Sequence, residues 1–261
     1  NGVTFGEVAD DFLALQTDRA ERANPLDKGV LRPSTLRDYR RMLTVVGSSL
    51  RPLRMDEIGR RDVKRIIDDL ENSGRLATAD QAVAYLGRLF RWSVEEEIIL
   101  RSPMEGIRGR RRLKSRERVL SLEELGDVWK ALDALSYPFG PLFRVLLLTG
   151  QRRGEVTGMR WSELSDWSAS PVWELPADRT KNKLPHVVPI VPMVQAIIDQ
   201  CPRHNDLVFS STGGILSGHG KAKTALDLAI AHVRRERGTN SEMAEWVLHD
   251  FRRSMSTHMH E

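Results

Sequence analysis

Three short segments of the sequence carry cations, and one of them adds a histidine. Arg152 and Glu155 lie three residues apart just after an apolar run, and Lys181 follows in a stretch typical of turns. His249 and Arg252 are also three residues apart, so they share one face if that segment is helical. Arginine binds phosphate as well as carboxylate. Each pattern alone is common in proteins, so any chemistry depends on the order and spacing of all three.

Several other kinds of site are excluded. The glycine-containing stretch 213–222 lacks the phosphate-loop pattern, because Ile215 occupies its first glycine position and Ala222 replaces its hydroxyl. The histidines near the end, including His258 and His260, follow no metalloprotease or paired-cysteine zinc pattern. No GxSxG turn occurs, so a serine nucleophile is not indicated. We expect no metal site.

The composition indicates a soluble globular protein of two domains. Its 261 residues and 29.6 kDa exceed a typical single domain, and 40% apolar with 29% charged residues argues against disorder. Cys201 is the only cysteine, which excludes a disulfide framework and suits a reducing cytosol. The longest strongly apolar run, Val145–Leu148, is too short to cross a membrane, and no signal peptide is visible. We therefore expect a cytoplasmic protein without a membrane partner.

The first hundred residues predict four helices. They begin near residues 4, 33, 61 and 78, where helical spacing of apolar side chains starts. The face of the fourth helix outside its apolar stripe carries Gln81, Tyr85, Arg88 and Arg91. A polar face of this kind is most often simply solvated, so by itself it indicates no ligand.

A basic segment separates this helical block from the rest of the chain. Residues 101–118 hold eight basic residues against two acidic ones, while the whole chain has a net charge of +4. Glycines and the lack of apolar periodicity indicate a linker at 106–118 between domains at 1–105 and 119–261. Such a linker either keeps the protein soluble or follows a phosphate backbone. Its basic residues include Arg108, Arg110, Arg111, Arg112 and Lys114.

The segment beyond the linker begins with helices and then changes period. A capping box at Ser121 opens one helix, and a strongly apolar helix ends at Gly150. Short β-branched segments at 172–175 and 186–190 predict antiparallel strands, joined by a hairpin tip at 179–185.

The remainder is predicted to be helical again. Helices resume near residue 193, a short strand is possible at 207–210, and the final helix is expected over 241–259. The predicted fold class is mainly α, with an N-terminal four-helix domain and a larger, mainly helical domain that contains a small antiparallel β-sheet.

Taken in order, these segments resemble the tyrosine recombinase (phage integrase) family along nearly the whole chain. Residues 146–161 look like the family's first-arginine motif, 180–189 like its β-hairpin lysine segment, and 248–254 like its His-x-x-Arg motif. Residues 86–94 are similar to the last helix of its core-binding domain. The resemblance implies a bacterial or phage-encoded site-specific recombinase. Such an enzyme binds duplex DNA between a core-binding and a catalytic domain and exchanges strands through a 3′-phosphotyrosine intermediate.

The resemblance also implies roles for the cations. Arg152 and Arg252 would hold the non-bridging oxygens of the attacked phosphate, where bidentate, charge-assisted hydrogen bonds suit the developing charge. Lys181 would protonate the departing 5′ oxygen. Lys183 is the alternative, because a strand would place both lysines on one face.

The remaining implied roles concern positioning and DNA contact. His249 would hydrogen-bond the phosphate or assist proton transfer at the nucleophile, and Glu155 would orient neighbouring side chains. The family needs no metal and no energy cofactor. The candidate DNA contacts outside the linker are Arg37, Arg41, Gln81 and Arg88.

One part of the family pattern is missing. The tyrosine nucleophile should follow the His-x-x-Arg motif, but Tyr39, Tyr85 and Tyr137 all precede it. We therefore expect that the sequence lacks a C-terminal piece, and that the 261-residue chain binds DNA without cutting it. We also expect this chain to be a monomer, although the longer protein would act as a homotetramer on two DNA sites. Three alternatives stay open: a catalytically inactive DNA-binding relative, a type IB topoisomerase-like enzyme, and a soluble domain without a nucleic-acid role.

Overall fold

The structure, a computed structural model, describes residues 2–24, 26–27, 29–109, 117–239 and 242–259. The chain divides into two compact units, Asn1–Ser115 and Arg116–Glu261. Four of the predicted DNA contacts lie outside the described residues: Arg110, Arg111, Arg112 and Lys114.

The first unit is helical. Its described residues form the α-helices α1 (Phe5–Arg22), α2 (Pro33–Arg41), α3 (Arg60–Asn72) and α4 (Leu76–Glu95). A π-helical turn, Met42–Val46, continues directly from α2. All four helices lie where the apolar spacing predicts them.

Local sequence and aromatic packing together explain this helical unit. The Thr4 hydroxyl accepts a hydrogen bond from the backbone N–H of Glu7, whose carboxylate accepts in turn from the N–H of Thr4 at 2.8 Å. This capping box fixes the start of α1. The rings of Phe5 and Phe90 are fully buried with centroids 5.8 Å apart, which joins α1 to α4.

The second unit combines six described α-helices with one small sheet. The helices are α5 (Leu122–Ala131), α6 (Phe139–Thr149), α7 (Arg153–Thr157), α8 (Pro192–Asp199), α9 (His219–Glu236) and α10 (His249–His258). The antiparallel sheet has the order β1 (Leu164–Ser165), β2 (Val172–Leu175), β3 (His186–Pro189). In its register, Val172 pairs with Pro189 and Leu175 with His186.

Apolar side chains from the helices and the sheet form one core in this unit. Trp173 from β2, Phe143 from α6 and Phe251 from α10 are each at most 1% exposed. Because α6 is buried on most of its surface, its C-terminal end is held rigidly, and that end leads into the segment with Arg152.

The final helix begins later than the sequence suggests. It starts at His249 instead of near residue 241, because the fully buried Asp250 carboxylate accepts the backbone N–H of Val247 at 2.8 Å. This bond ties the residues just before the helix to its first turn, although the N-cap residue Leu248 makes no side-chain cap bond. Trp246 is buried against Phe251, with ring centroids 5.0 Å apart, and residues 242–247 before the helix form neither helix nor strand.

The sheet also differs from expectation. The possible strand at 207–210 is reduced to a single bridge between Arg160 and Leu207, since side chains satisfy its other backbone groups. Lys181 and Lys183 do not share a strand face. Both lie in the turn between β2 and β3, where Lys183 adopts a left-handed φ of 57°.

Candidate active site

The candidate site is built on the turn between α6 and α7. Helix α6 ends at Gly150, which has a φ of 59° and donates its N–H to Leu146. Residues other than glycine rarely adopt this left-handed conformation. The chain then reverses direction and presents Arg152 immediately before α7.

Glu155 holds Arg152 at two points. Its carboxylate accepts a hydrogen bond from the Arg152 backbone N–H at 3.1 Å and one from the guanidinium Nη1 at 2.8 Å. The Glu155 side chain is only 6% exposed, whereas that of Arg152 is 40% exposed. Arg152 therefore remains accessible while its backbone N–H and part of its guanidinium are held by Glu155.

Arg252 reaches the same turn from the other end of the unit. Its Nη1 donates to the carbonyl oxygen of Gly150 at 2.7 Å, across a sequence separation of 102 residues. A Cβ atom on Gly150 would lie 3.1 Å from the Cβ of Met255 in α10. The absence of a side chain at Gly150 thus allows α10 to approach and brings Arg252 beside the segment of Arg152.

His249 is the first residue of α10 and lies in the field of both arginines. Burial, followed by the positive charges of Arg253, Arg252 and Arg152, lowers its pKa below the usual value, against a smaller opposing effect of Asp250. The imidazole is therefore mostly neutral at pH 7. A neutral imidazole can accept a proton, which Arg152 and Arg252 cannot do.

The hairpin lysines lie on a turn that its own hydrogen bonds close. The buried Thr180 hydroxyl donates to the carbonyl oxygen of Leu184, 2.6 Å away, or to that of Ala177, 3.1 Å away. Lys181 is exposed beside it. Among the described contacts, no hydrogen bond or ion pair joins Lys181 to Arg152, Arg252 or His249, so the structure does not bring this lysine to them directly.

A basic cavity of about 460 Å³ adjoins His249. Arg153, His219 and Lys223 also line it, and the residues that line it include no carboxylate. His219 was not singled out by sequence, because it has no diagnostic spacing to the other cations. Its Nε2 lies 2.9 Å from the Thr157 hydroxyl, and burial, followed by the charge of Arg153, lowers its pKa. Lys223 is itself paired with Asp227 at 2.6 Å, so the charge of Arg153 and the ring nitrogens of the two histidines are what this cavity can offer to an anion.

The predicted DNA contacts of the first unit that the structure describes have exposed side chains: Arg37, Arg41, Gln81, Arg88 and Arg108. Their exposure is compatible with DNA contact and equally with a solvated face.

Each of the three tyrosines contacts other residues of its own unit. The rings of Tyr39 and Tyr85 contact each other edge to face in the first unit, with centroids 4.3 Å apart. In the second unit, the Tyr137 hydroxyl accepts the backbone N–H of Ser210 and donates to the carbonyl oxygen of Val208 or Ser210, each at 3.0 Å. Tyr137 therefore joins two loops of the core instead of facing the Gly150 turn.

Among the described residues, no three or more His, Cys, Asp or Glu side chains are grouped so that they could hold a metal ion. No helix in the described part of the chain is both long enough and apolar enough to span a membrane.

The architecture is that of DNA-bound integrases. A lambda integrase dimer bound to a COC′ core site has a TM-score of 0.68 at 18% identity, over 97% of this chain and 69% of that one. A lambda integrase tetramer bound to a Holliday junction has a TM-score of 0.69 at 17% identity, over 98% of this chain and 73% of that one. The Tn1549 transposon integrase in complex with circular intermediate DNA has a TM-score of 0.65 at 12% identity, over 99% of this chain and 87% of that one. These likenesses establish the fold, and they confirm the predicted fold class.

Residues 118–261 match the phage integrase family and residues 5–110 match the phage integrase central domain. The chain therefore belongs to the phage integrase family, as the motifs predict. The prophage integrase IntF of Escherichia coli (strain K12) is 27% identical over 142 residues, which are 53% of this chain and 28% of that protein. The integrase of Escherichia phage HK022 is 24% identical over 136 residues, which are 52% of this chain and 38% of that protein. The matches thus cover less than two fifths of either relative.

Proposed function

We propose that this chain is the DNA-binding and phosphate-holding part of a site-specific DNA recombinase. The observation that carries the proposal is the 2.7 Å hydrogen bond from Arg252 to the Gly150 carbonyl, beside the segment of Arg152. Two guanidiniums next to one turn can hold the two non-bridging oxygens of one phosphate. The family and the fold of its DNA-bound relatives support the same substrate.

The proposed reaction transfers a phosphodiester to a tyrosine hydroxyl. The tyrosine oxygen forms a bond to phosphorus and gives up its proton. Neutral His249 either accepts this proton or donates a hydrogen bond to the phosphate. The bond to the 5′ oxygen breaks, and Lys181 supplies the proton that this oxygen takes up. Arg152 and Arg252 stabilise the charge that gathers on the phosphate. The resulting 3′-phosphotyrosine keeps the phosphodiester energy, so neither a metal nor an energy cofactor is required.

The attacking tyrosine would have to come from outside these 261 residues. Tyr39 and Tyr85 pack in the first unit, and Tyr137 is held by backbone groups. We therefore propose that the 261-residue chain binds duplex DNA without cutting it, as a monomer in the cytoplasm. Strand exchange by a longer protein would use a homotetramer on two DNA sites.

A binding and trapping experiment tests this function. The 261-residue chain should bind mixed-sequence duplex DNA with an affinity that falls steeply with salt, because several phosphates are neutralised. It should form no detergent-resistant complex with nicked duplexes. Salt-insensitive binding would reject the DNA function, and a covalent adduct would show that one of the three tyrosines reacts. Arg152→Ala should weaken DNA binding. Arg22→Ala is the control and should leave binding unchanged, because the Arg22 side chain is exposed and paired with Asp18.

A further inference from the structure

Arg179 lies in the turn between β2 and β3, two residues before Lys181. Its Nη2 donates to the backbone carbonyl oxygen of Glu155 at 2.9 Å, and its Nη1 pairs with the carboxylate of Glu163. The side chains of Arg179 and Glu163 are 17% and 7% exposed. The other oxygen of Glu163 accepts from the indole of Trp173 at 3.0 Å. This guanidinium is therefore committed to contacts within the protein.

The Arg179 contacts join two parts of the candidate site, the segment of Arg152 and the turn of Lys181. Glu155 binds Arg152 through its side chain and Arg179 through its backbone. The turn is closed internally by the Thr180 hydroxyl and by the bond from the Arg179 N–H to the Pro176 carbonyl at 3.1 Å. Because these bonds close the turn around Arg179 and Lys181, a contact that fixes Arg179 also limits where Lys181 can lie.

We propose that Arg179 is a positioning residue that fixes the Lys181 turn relative to Arg152, so that the ammonium of Lys181 meets the same stretch of DNA backbone. Arg179 itself makes no DNA contact in this arrangement. The inference rests on the proposed function, because DNA binding is what gives Lys181 a phosphate to meet.

Two substitutions disturb this tether in different ways. Arg179→Met removes the guanidinium. Gly158→Ala keeps every charge, but its Cβ would lie 2.7 Å from Nη2 of Arg179 and displace it. The φ of Gly158 is −97°, which alanine adopts without strain. Gly126→Ala in α5 is the matched control, since a Cβ there meets no atom within 4 Å.

The test is a double-mutant cycle on the 261-residue chain, with the salt dependence of duplex-DNA affinity as the readout. Lys181→Ala should reduce the slope of log K against log salt by about 0.9, as expected for one lost phosphate contact. Arg179→Met and Gly158→Ala should each give a similar reduction. Combining either with Lys181→Ala should produce no further loss, because the contact is already absent. A protein whose stability alone is changed would show an unaltered slope.

The possible outcomes separate this inference from the proposed function. A wild-type chain without salt-dependent DNA binding rejects the function and this role with it. If wild-type binding is normal, three results overturn the role of Arg179 alone: an unchanged slope in both tether variants, an unchanged slope in Lys181→Ala, or losses that add in the double variants. If thermal unfolding shows that Arg179→Met does not fold, Gly158→Ala decides.

Discussion

At the scale of single residues, the candidate site depends on Gly150 as much as on its cations. The backbone of this residue is left-handed, its carbonyl holds Arg252, and its missing side chain leaves room for Met255. The sequence predicts Gly150 as a helix stop, and the motifs predict both arginines. It does not predict that the carbonyl at this stop is what Arg252 binds, because a bond across 102 residues leaves no local pattern.

Gly150→Ala should destabilise the second unit and misplace Arg252. A non-glycine residue at a φ of 59° costs about 1–3 kcal/mol, and the new methyl group must also displace Met255. Urea unfolding should show a loss in this range, while Gly126→Ala should not lower stability. A Gly150→Ala protein of normal stability and normal DNA affinity would contradict the importance given to this turn.

DNA binding should take up a proton at His249. Burial and nearby arginines lower the pKa of the free imidazole, and a phosphate beside it would raise the pKa again. Between these two pKa values the complex holds more protons than the free protein, so affinity should rise as the pH falls from the pKa of the bound imidazole towards the lower pKa of the free one. Binding titrations at several pH values measure this effect. The pH dependence of affinity should be smaller in His249→Gln. If that variant shows the same pH dependence as the wild type, the proton is taken up by another group.

At the scale of elements, some boundaries follow from local sequence and others from buried polar contacts. The capping box of Ser121 and Glu124 is readable in the sequence and fixes the start of α5. The start of α10 is not readable in this way. It depends on Asp250, which lies inside a helical pattern yet is fully buried and accepts from Val247 and Arg253. Hydrophobic periodicity gives no sign of a buried carboxylate, and for the same reason it missed Arg179.

Asp250→Ala should therefore loosen the element that carries His249 and Arg252. Losing this buried acceptor leaves the Val247 N–H without its hydrogen-bond partner, at a cost of about 1–3 kcal/mol. Asp133→Ala, which removes an exposed carboxylate paired with Arg144, should cost less than about 1 kcal/mol. Chemical denaturation of the two variants gives the comparison. Equal losses would mean that Asp250 has no special role at the start of α10.

At the scale of the whole molecule, the sequence predicts a helical unit, a basic segment and a mixed unit, with a net charge of +4. That modest figure conceals an uneven distribution, since eight basic residues lie within 101–118. Composition shows this concentration but cannot tell whether it serves solubility or DNA contact. The two possibilities differ only in how binding responds to salt.

Arg108→Ala distinguishes between solubility and DNA contact for the part of the 101–118 segment that the structure describes. Arg108 is exposed, so its removal should leave folding intact. If it contacts a phosphate, the salt slope of DNA binding should fall by about 0.9, and affinity should drop similarly for duplexes of any sequence. Arg22→Ala, also exposed, should leave the slope unchanged. An unchanged slope in Arg108→Ala would assign this residue to solubility.

Glu155 is joined to Arg152 by its carboxylate and to Arg179 by its backbone carbonyl, and these two connections constrain substitution during evolution in different ways. Only a carboxylate can hold Arg152 in the observed way, whereas any amino acid can offer the carbonyl that receives Arg179. Substitution at position 155 would thus break one tether and spare the other. The constraint of the second tether falls on positions 158 and 179 together. Descendants of this chain that keep arginine at 179 should keep glycine at 158, and those that lose the arginine become free to replace the glycine.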